Sequence, residues 1–251
     1  MVWDILSVCG WPIAGSREDV PIAPRITLVE EQSGVDGSFL LAMLMTNHLK
    51  RSVSNRVLLF AAHHTAAHYT AACQKLTFNT ASALQSGHLR IVDMLAELYG
   101  SVATGGRTTG AELLQLISDR LAEVGPSNTL VIVDDLTFYS TMHPVVGSGE
   151  NAVIDFVEQQ LLLHTTAPDC HFVLKVNVSE CYERLCTFLR DLADVIVELG
   201  PLPSGSFHEL DEQSTLPLLS ALRESSKTLL YKVHDRLVRT YVPGEVGIKN
   251  L

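Results

Sequence analysis

Residues 29–44, VEEQSGVDGSFLLAML, place a glycine-containing bend between an apolar strand and an apolar helix. A phosphate-binding loop occupies such a position, so nucleotide binding is the first chemistry to test. The pattern GxxxxGK[ST] cradles phosphate with backbone N–H groups, reaches the outer phosphates with its lysine and holds Mg²⁺ through its hydroxyl. With Gly37 as the second glycine, Ser38 stands in place of the lysine, Phe39 in place of the hydroxyl and Gln32 in place of the first glycine. With Ser38 as the hydroxyl, Gly37 replaces the lysine and Asp36 the glycine. Neither register supplies a lysine, and Lys50 lies about three turns further along the helix at ~1.5 Å per residue. Asp36 brings a charge of the wrong sign: a carboxylate beside a triphosphate costs on the order of a few kcal/mol per close pair. The bare helix start favours an anion by roughly 0.3–1 kcal/mol, and Asp36 or Ser38 can fill that role as an N-cap. Asp36, Gly37 and Ser38 are therefore expected to form a capped strand-to-helix turn, a degenerate remnant of a phosphate loop.

The second landmark is LVIVDD, residues 130–135. An apolar strand ending in Asp is how a Walker B carboxylate reaches Mg²⁺, so Asp134 and Asp135 are the counterpart candidates, again degenerate. The strand that should end in a water-positioning glutamate runs Phe60-Ala61-Ala62-His63-His64 and carries no acid. His64 and His68, at i and i+4, raise zinc. There is no HExxH and no acid adjacent to them in the chain, so packing or polar capping is expected and no metal is assigned. No GxSxG or other local nucleophile pattern is present. The expectation is no catalytic residue and no cofactor.

The elements that must position these residues follow from the periodicity. Strands are expected at residues 25–29, 56–61, 89–92, 129–133, 171–176 and 195–199. Helices are expected at 38–50, 65–76, 111–124, 150–164 and 181–192. A loop is expected around Gly100, Gly105, Gly106 and Gly110, and a polar loop between Gly200 and Leu219. Residues 228–233 and 237–242, around His234-Asp235-Arg236, read as a β-hairpin. Residues 1–24, with Pro12, Gly15, Pro21 and Pro24, read as an irregular N-terminal arm, and 25–251 as a single domain. Repeated strand–helix units imply an α/β fold with a mostly parallel sheet covered by helices on both faces. With a C-terminal antiparallel hairpin at one edge, this is the layout of a RecA-like core.

Composition narrows the function. The chain has 251 residues, 47% hydrophobic, enough for a large core, and a net charge of −10. That balance is a poor match for direct nucleic-acid binding, which needs clustered Lys and Arg. The five cysteines form no CxxC pair, as expected of free thiols in a reducing compartment. Asp4 interrupts the first apolar run and no basic n-region precedes it, so no secretory signal is expected. No segment reads as membrane-spanning. The cytoplasm and nucleus are the expected location.

Four stretches together resemble a known family: DGSFLLAMLMTNHLK (36–50), HHTAAHYTAACQKL (63–76), LVIVDDL (130–136) and YKVHDRLVRTYVPG (231–244). They are similar to the sixth subunit of the Elongator complex, and the likeness spans about residues 25–244. The run His68-Tyr69-x4-Gln74-Lys75-Leu76 is its most specific part. The resemblance implies a RecA-like fold without a working P-loop. It also implies assembly with the fourth and fifth Elongator subunits, RecA-like paralogues, into a heterohexameric ring. The ring joins a larger complex that starts the carboxymethyl-type modification of wobble uridine in tRNA, and it is associated with tRNA binding and nucleotide-dependent release. In related rings the loops after the fourth and fifth strands face the channel. Here these are about 137–150 and 177–180, and the first contains no Lys or Arg. Candidates for direct tRNA contact are then the scattered Arg51, Arg107 and Arg236, with basic partners contributing most. The competing assignment is a recombinase-paralogue ATPase acting in DNA repair, which predicts ATP binding by the isolated chain. A stand-alone small-molecule binding module predicts a stable monomer.

Overall fold

A computed structural model of the chain describes residues 5–15, 22–103, 108–125, 127–143, 147–164, 167, 169–201, 212–220, 223–234 and 238–241. In chain order the elements are α1 (Ile5–Val8), β1 (Ile26–Glu31), α2 (Ser38–Arg51), β2 (Arg56–Ala61), α3 (Ala66–Lys75), α4 (Thr80–Gln85) and β3 (Leu89–Asp93). There follow α5 (Met94–Ala103), α6 (Gly110–Val124), β4 (Thr129–Asp134), α7 (Leu136–Thr141) and α8 (Gly149–Phe156). A π turn at Val157–Leu161 joins α8 to α9 (Leu162–His164). The last elements are β5 (Cys170–Asn177), α10 (Glu183–Leu192), β6 (Val195–Pro201), β7 (Glu212–Ser220), β8 (Arg223–Val233) and β9 (Val238–Tyr241).

Among the described residues, nine strands form one sheet in the order β3-β2-β4-β5-β1-β6-β7-β8-β9. The first six are parallel, and β7, β8 and β9 continue from β6 as antiparallel neighbours. The mostly parallel sheet and its antiparallel C-terminal extension match the expected α/β layout. The central strands β1, β4 and β5 are buried along nearly their whole length, which is why they read as continuous apolar runs rather than as an alternation. Two cores flank them. One packs α2 and α3 against Val57, Leu59, Ile132 and Val173. The other packs α6, α8 and α10 against Leu58, Phe60, Val133 and Leu174. Successive residues of each strand thus serve opposite faces.

Several local expectations differ from the structure. Met94–Ala103 is a helix that contains Gly100, not a loop. One glycine in a helix costs only about 1 kcal/mol relative to Ala, too little by itself to break the helix. Gly105 and Gly106 lie outside the described residues, and Gly110 is the first residue of α6. Part of the expected polar loop between Gly200 and Leu219 is β7, which pairs with both β6 and β8 and contains Pro217. The expected hairpin is present as β8–β9, with Val233 opposite Val238, but β8 is longer than its C-terminal apolar part suggested. The segment after β4 is helical at once, as α7, rather than a loop. Within residues 1–24, the described part holds α1, and Ile5, Leu6, Val8 and Trp11 are buried. Trp11 Nε1 donates to Thr27 Oγ1 at 3.2 Å, and its ring meets His171 edge-on.

Candidate functional site at the strand ends

Parallel strands bring their carboxyl ends to one edge of the sheet, where open α/β folds place their ligands. Here β1 ends in Glu31, β4 in Asp134, β5 in Lys175-Val176-Asn177, and β2 leads into His63. Strand parity decides which of these meet. Val29, Ile132 and Val173 face α2 and α3, so Glu31, Asp134 and Lys175, each two residues further on, emerge on that same side. Lys175 Nζ lies 2.8 Å from Asp134 Oδ1 and 3.2 Å from Glu31 Oε2, with all three side chains at 0–2% exposure. It also contacts His63 Nδ1 at 2.9 Å. Burial alone would lower the Lys175 pKa, but Asp134 and Glu31 together hold it above its usual value. A lysine in the interior is tolerated only when paired in this way.

Glu31 also closes the corner where a phosphate loop was expected. Gly37 is the N-cap of α2, and its N–H donates to Glu31 Oε2 at 2.7 Å. The leading amide of the helix therefore already holds an anion supplied by the chain, at the end where a helix favours one. A Cβ on Gly37 would fall 2.7 Å from Leu199 Cδ1 and 3.1 Å from Glu31 Oε2, so the space over this amide is filled. Asp36 accepts from Ser38 N at 2.9 Å and from Ser38 Oγ at 3.0 Å. The expected cap thus comes from two acids, with Glu31 taking the amide of Gly37 and Asp36 that of Ser38. Asp36 is partly desolvated, which raises a carboxyl, yet the Ser38 bonds and nearby His64 leave it below its usual range.

Asp134 and Asp135 part company. Asp134 receives Lys175 and the hydroxyl of Tyr69. That bond gives the His68-Tyr69 run a physical role, since Tyr69 ties α3 to the end of β4. Asp135 caps α7, accepting from Thr137 N at 2.9 Å and from the side chains of Thr137 and Asn177. Burial pushes its carboxyl up from the usual value. Both acids are thus engaged inside the fold.

The structure brings Asp36, Gly37, Ser38, Asp134 and Asp135 to one end of the sheet. It does not bring Arg51 there, because Arg51 closes the far end of α2, 14 residues long and so about 20 Å from its start. Arg107 and Arg236 lie outside the described residues. Sequence reasoning passed over Lys175 and Glu31, and it named Tyr69 only for the resemblance and not for its bond to Asp134. The signal for Lys175 was a single charge inside the apolar run HFVLKVN. The histidines also changed company. No acid adjoins His64 and His68 along the chain, but Asp36 Oδ1 lies 3.2 Å from His64 Nε2 in the fold. Beside this corner, α2, α3 and the β8–β9 hairpin enclose a groove of about 500 Å³, with Phe39, Met43, Leu76 and Val238 among its lining.

Fold and site together define a RecA-like α/β protein in which the turn before α2 is held by the chain's own Glu31 and Asp36. Among solved structures, the flagellar accessory protein FlaH of Methanocaldococcus jannaschii is similar over 95% of this chain and 96% of its own, with TM-score 0.64 and 15% identity. A KaiC-like protein of Pyrococcus horikoshii OT3 is similar over 93% and 97%, with TM-score 0.62 and 10% identity. At those identities the likeness is one of fold. No family model matches the chain. A curated relative, Elongator complex protein 6 of Drosophila melanogaster, is 27% identical over 240 residues, covering 90% of this chain and 93% of the relative. The resemblance carried by the four sequence stretches therefore extends over nine tenths of the chain, and it supports an Elongator-type RecA-like subunit.

Proposed function

We propose that the chain is a non-catalytic, RecA-like subunit of the Elongator complex. In this reading it joins the fourth and fifth subunits in a heterohexameric ring that supports tRNA binding and release during wobble-uridine modification, in the cytoplasm and nucleus. The observation that carries the reading is the bond from Gly37 N–H to Glu31, itself paired with buried Lys175. A site whose amide, cation and carboxylates already satisfy one another offers a triphosphate nothing without breaking buried pairs. RecA-like rings use that edge of the sheet between neighbouring subunits, so a subunit that has filled it in can still serve as a scaffold. The net charge of −10 fits a subunit that meets protein first and leaves most phosphate contacts to basic partners. Among the described residues no helix is long and apolar enough to cross a membrane.

The test is affinity purification of the tagged chain from its own cells, with mass spectrometry of what accompanies it. Recovery of the two RecA-like paralogues and the larger Elongator subunits is expected. A pull-down containing neither paralogue, or one dominated by recombination proteins, refutes the assignment.

A further inference from the structure

Three side chains outside the Lys175 network converge on the turn before α2. Asp36 Oδ1 and His64 Nε2 stand 3.2 Å apart, and the His64 and His68 rings lie face to face with centroids 4.0 Å apart. One ligand atom from each of the three lies within 4.8 Å of the other two. We propose that Asp36, His64 and His68 form a binding site for a divalent transition-metal ion, with Zn²⁺ the best match. The site goes beyond the scaffold reading and does not depend on it.

Two imidazoles and one carboxylate are a donor set suited to Zn²⁺ with a fourth position left open. A tetrahedral ion with bonds of about 2.0–2.1 Å holds its ligand atoms roughly 3.3 Å apart. Asp36 and His64 already stand at about that separation, and rotation of the His68 ring closes the third edge. The side chains of His64 and Asp36 are 24% and 50% exposed, so an ion reaches them from solvent without opening the core. Support is also in place. Ser38 Oγ donates to Asp36 Oδ2 at 3.0 Å and Ser38 N to Oδ1 at 2.9 Å, which fixes the carboxylate with Oδ1 beside His64, as outer hydrogen bonds do for metal-ligating carboxylates. Thr65 caps α3 between the two histidines, and Tyr69 anchors the first turn to Asp134. Without an ion, His64 Nε2 faces Asp36 Oδ1 and His68 Nε2 lies 2.9 Å from Ser38 Oγ; binding would exchange these contacts for the ion, with each ring neutral and its proton moved to Nδ1. The ion would staple the start of α2 to the start of α3 beside the groove, whose wall includes Asp36, Ser38 and His68.

The experiment uses the full chain with any affinity tag removed, stripped with chelator and titrated with Zn²⁺ against a chromophoric competitor. Co²⁺ serves as an optical probe of tetrahedral geometry. One ion per chain is expected, with a rise in Tm on adding Zn²⁺. His64→Ala, His68→Ala and Asp36→Asn should each weaken binding by more than about tenfold and abolish the Tm rise. His88→Gln, outside the cluster, should leave both unchanged. Far-UV circular dichroism checks that each variant is folded, and Asp36→Asn keeps the test open if a histidine variant is not. No Zn²⁺ binding at micromolar concentrations overturns the proposal, and so does binding that folded cluster variants leave intact.

Discussion

Replacing Lys175 with methionine tests whether the strand-end network is a structural keystone. The substitution keeps most of the side-chain volume and removes only the charge. It leaves Glu31 and Asp134 facing each other at 2% and 0% exposure. Glu31 keeps the Gly37 amide and Asp134 keeps the Tyr69 hydroxyl, but neither bond neutralises a buried carboxylate. Breaking a buried pair by removing one partner costs about 3–5 kcal/mol. For a domain near this size each kcal/mol shifts Tm by roughly 2–4 °C, so Lys175→Met should lower Tm by about 6–20 °C. Neutralising the stranded acids should reverse the loss. The variant that combines Lys175→Met with Asp134→Asn and Glu31→Gln should return to within about 2 kcal/mol of the parent, because a buried ion network and its neutral replacement are close in energy. Urea unfolding followed by circular dichroism reads both effects. A loss below about 1 kcal/mol in Lys175→Met refutes the reasoning, as does a combined variant no more stable than the single one.

Other expectations rest on separate contacts. Gly37→Ala puts a methyl against Leu199 and Glu31 and should cost about 1–3 kcal/mol by overpacking, measured by the same unfolding titration. Trp11→Ala removes a side chain at 1% exposure and should cost about 3–5 kcal/mol. A change under 1 kcal/mol would mean that the N-terminal segment is a loose arm after all. His48 is neutral in the fold, because burial lowers its pKa from 6.5 to about 4. Its contribution is complete above the unfolded value of 6.5 and is lost as pH falls from there through 4, on the order of 3 kcal/mol in all. Stability measured between pH 7 and 4 should fall more steeply in the parent than in His48→Gln.

The sheet was legible because its central strands are covered on both faces and must be written as apolar runs, VIVD and FVLKV among them. The first core helix after β1 was equally clear, since residues 38–50 are apolar nearly all round. Elements with weaker covering were harder. Gly100 hid α5, and the polar character of residues 212–220 hid β7. Helix α1 is only four residues long, too short for any periodicity to announce. At the site, the local sequence showed which groups of a phosphate loop are absent but not which side chains hold the turn. The Lys175 network is made across strands: Glu31, Asp134 and Lys175 come from β1, β4 and β5, and their meeting depends on strand order and parity. The approach of Asp36 to His64 is likewise a contact between segments 28 residues apart, beyond the reach of any spacing rule.

The idea that the chain has filled its own nucleotide site is tested most directly by titration calorimetry of the purified subunit with Mg-ATP. With the α2 amide held by Glu31 and the cation of Lys175 spent on two carboxylates, no saturable heat is expected up to millimolar nucleotide. Saturable binding in the micromolar range, lost on Gly37→Ala, would contradict it.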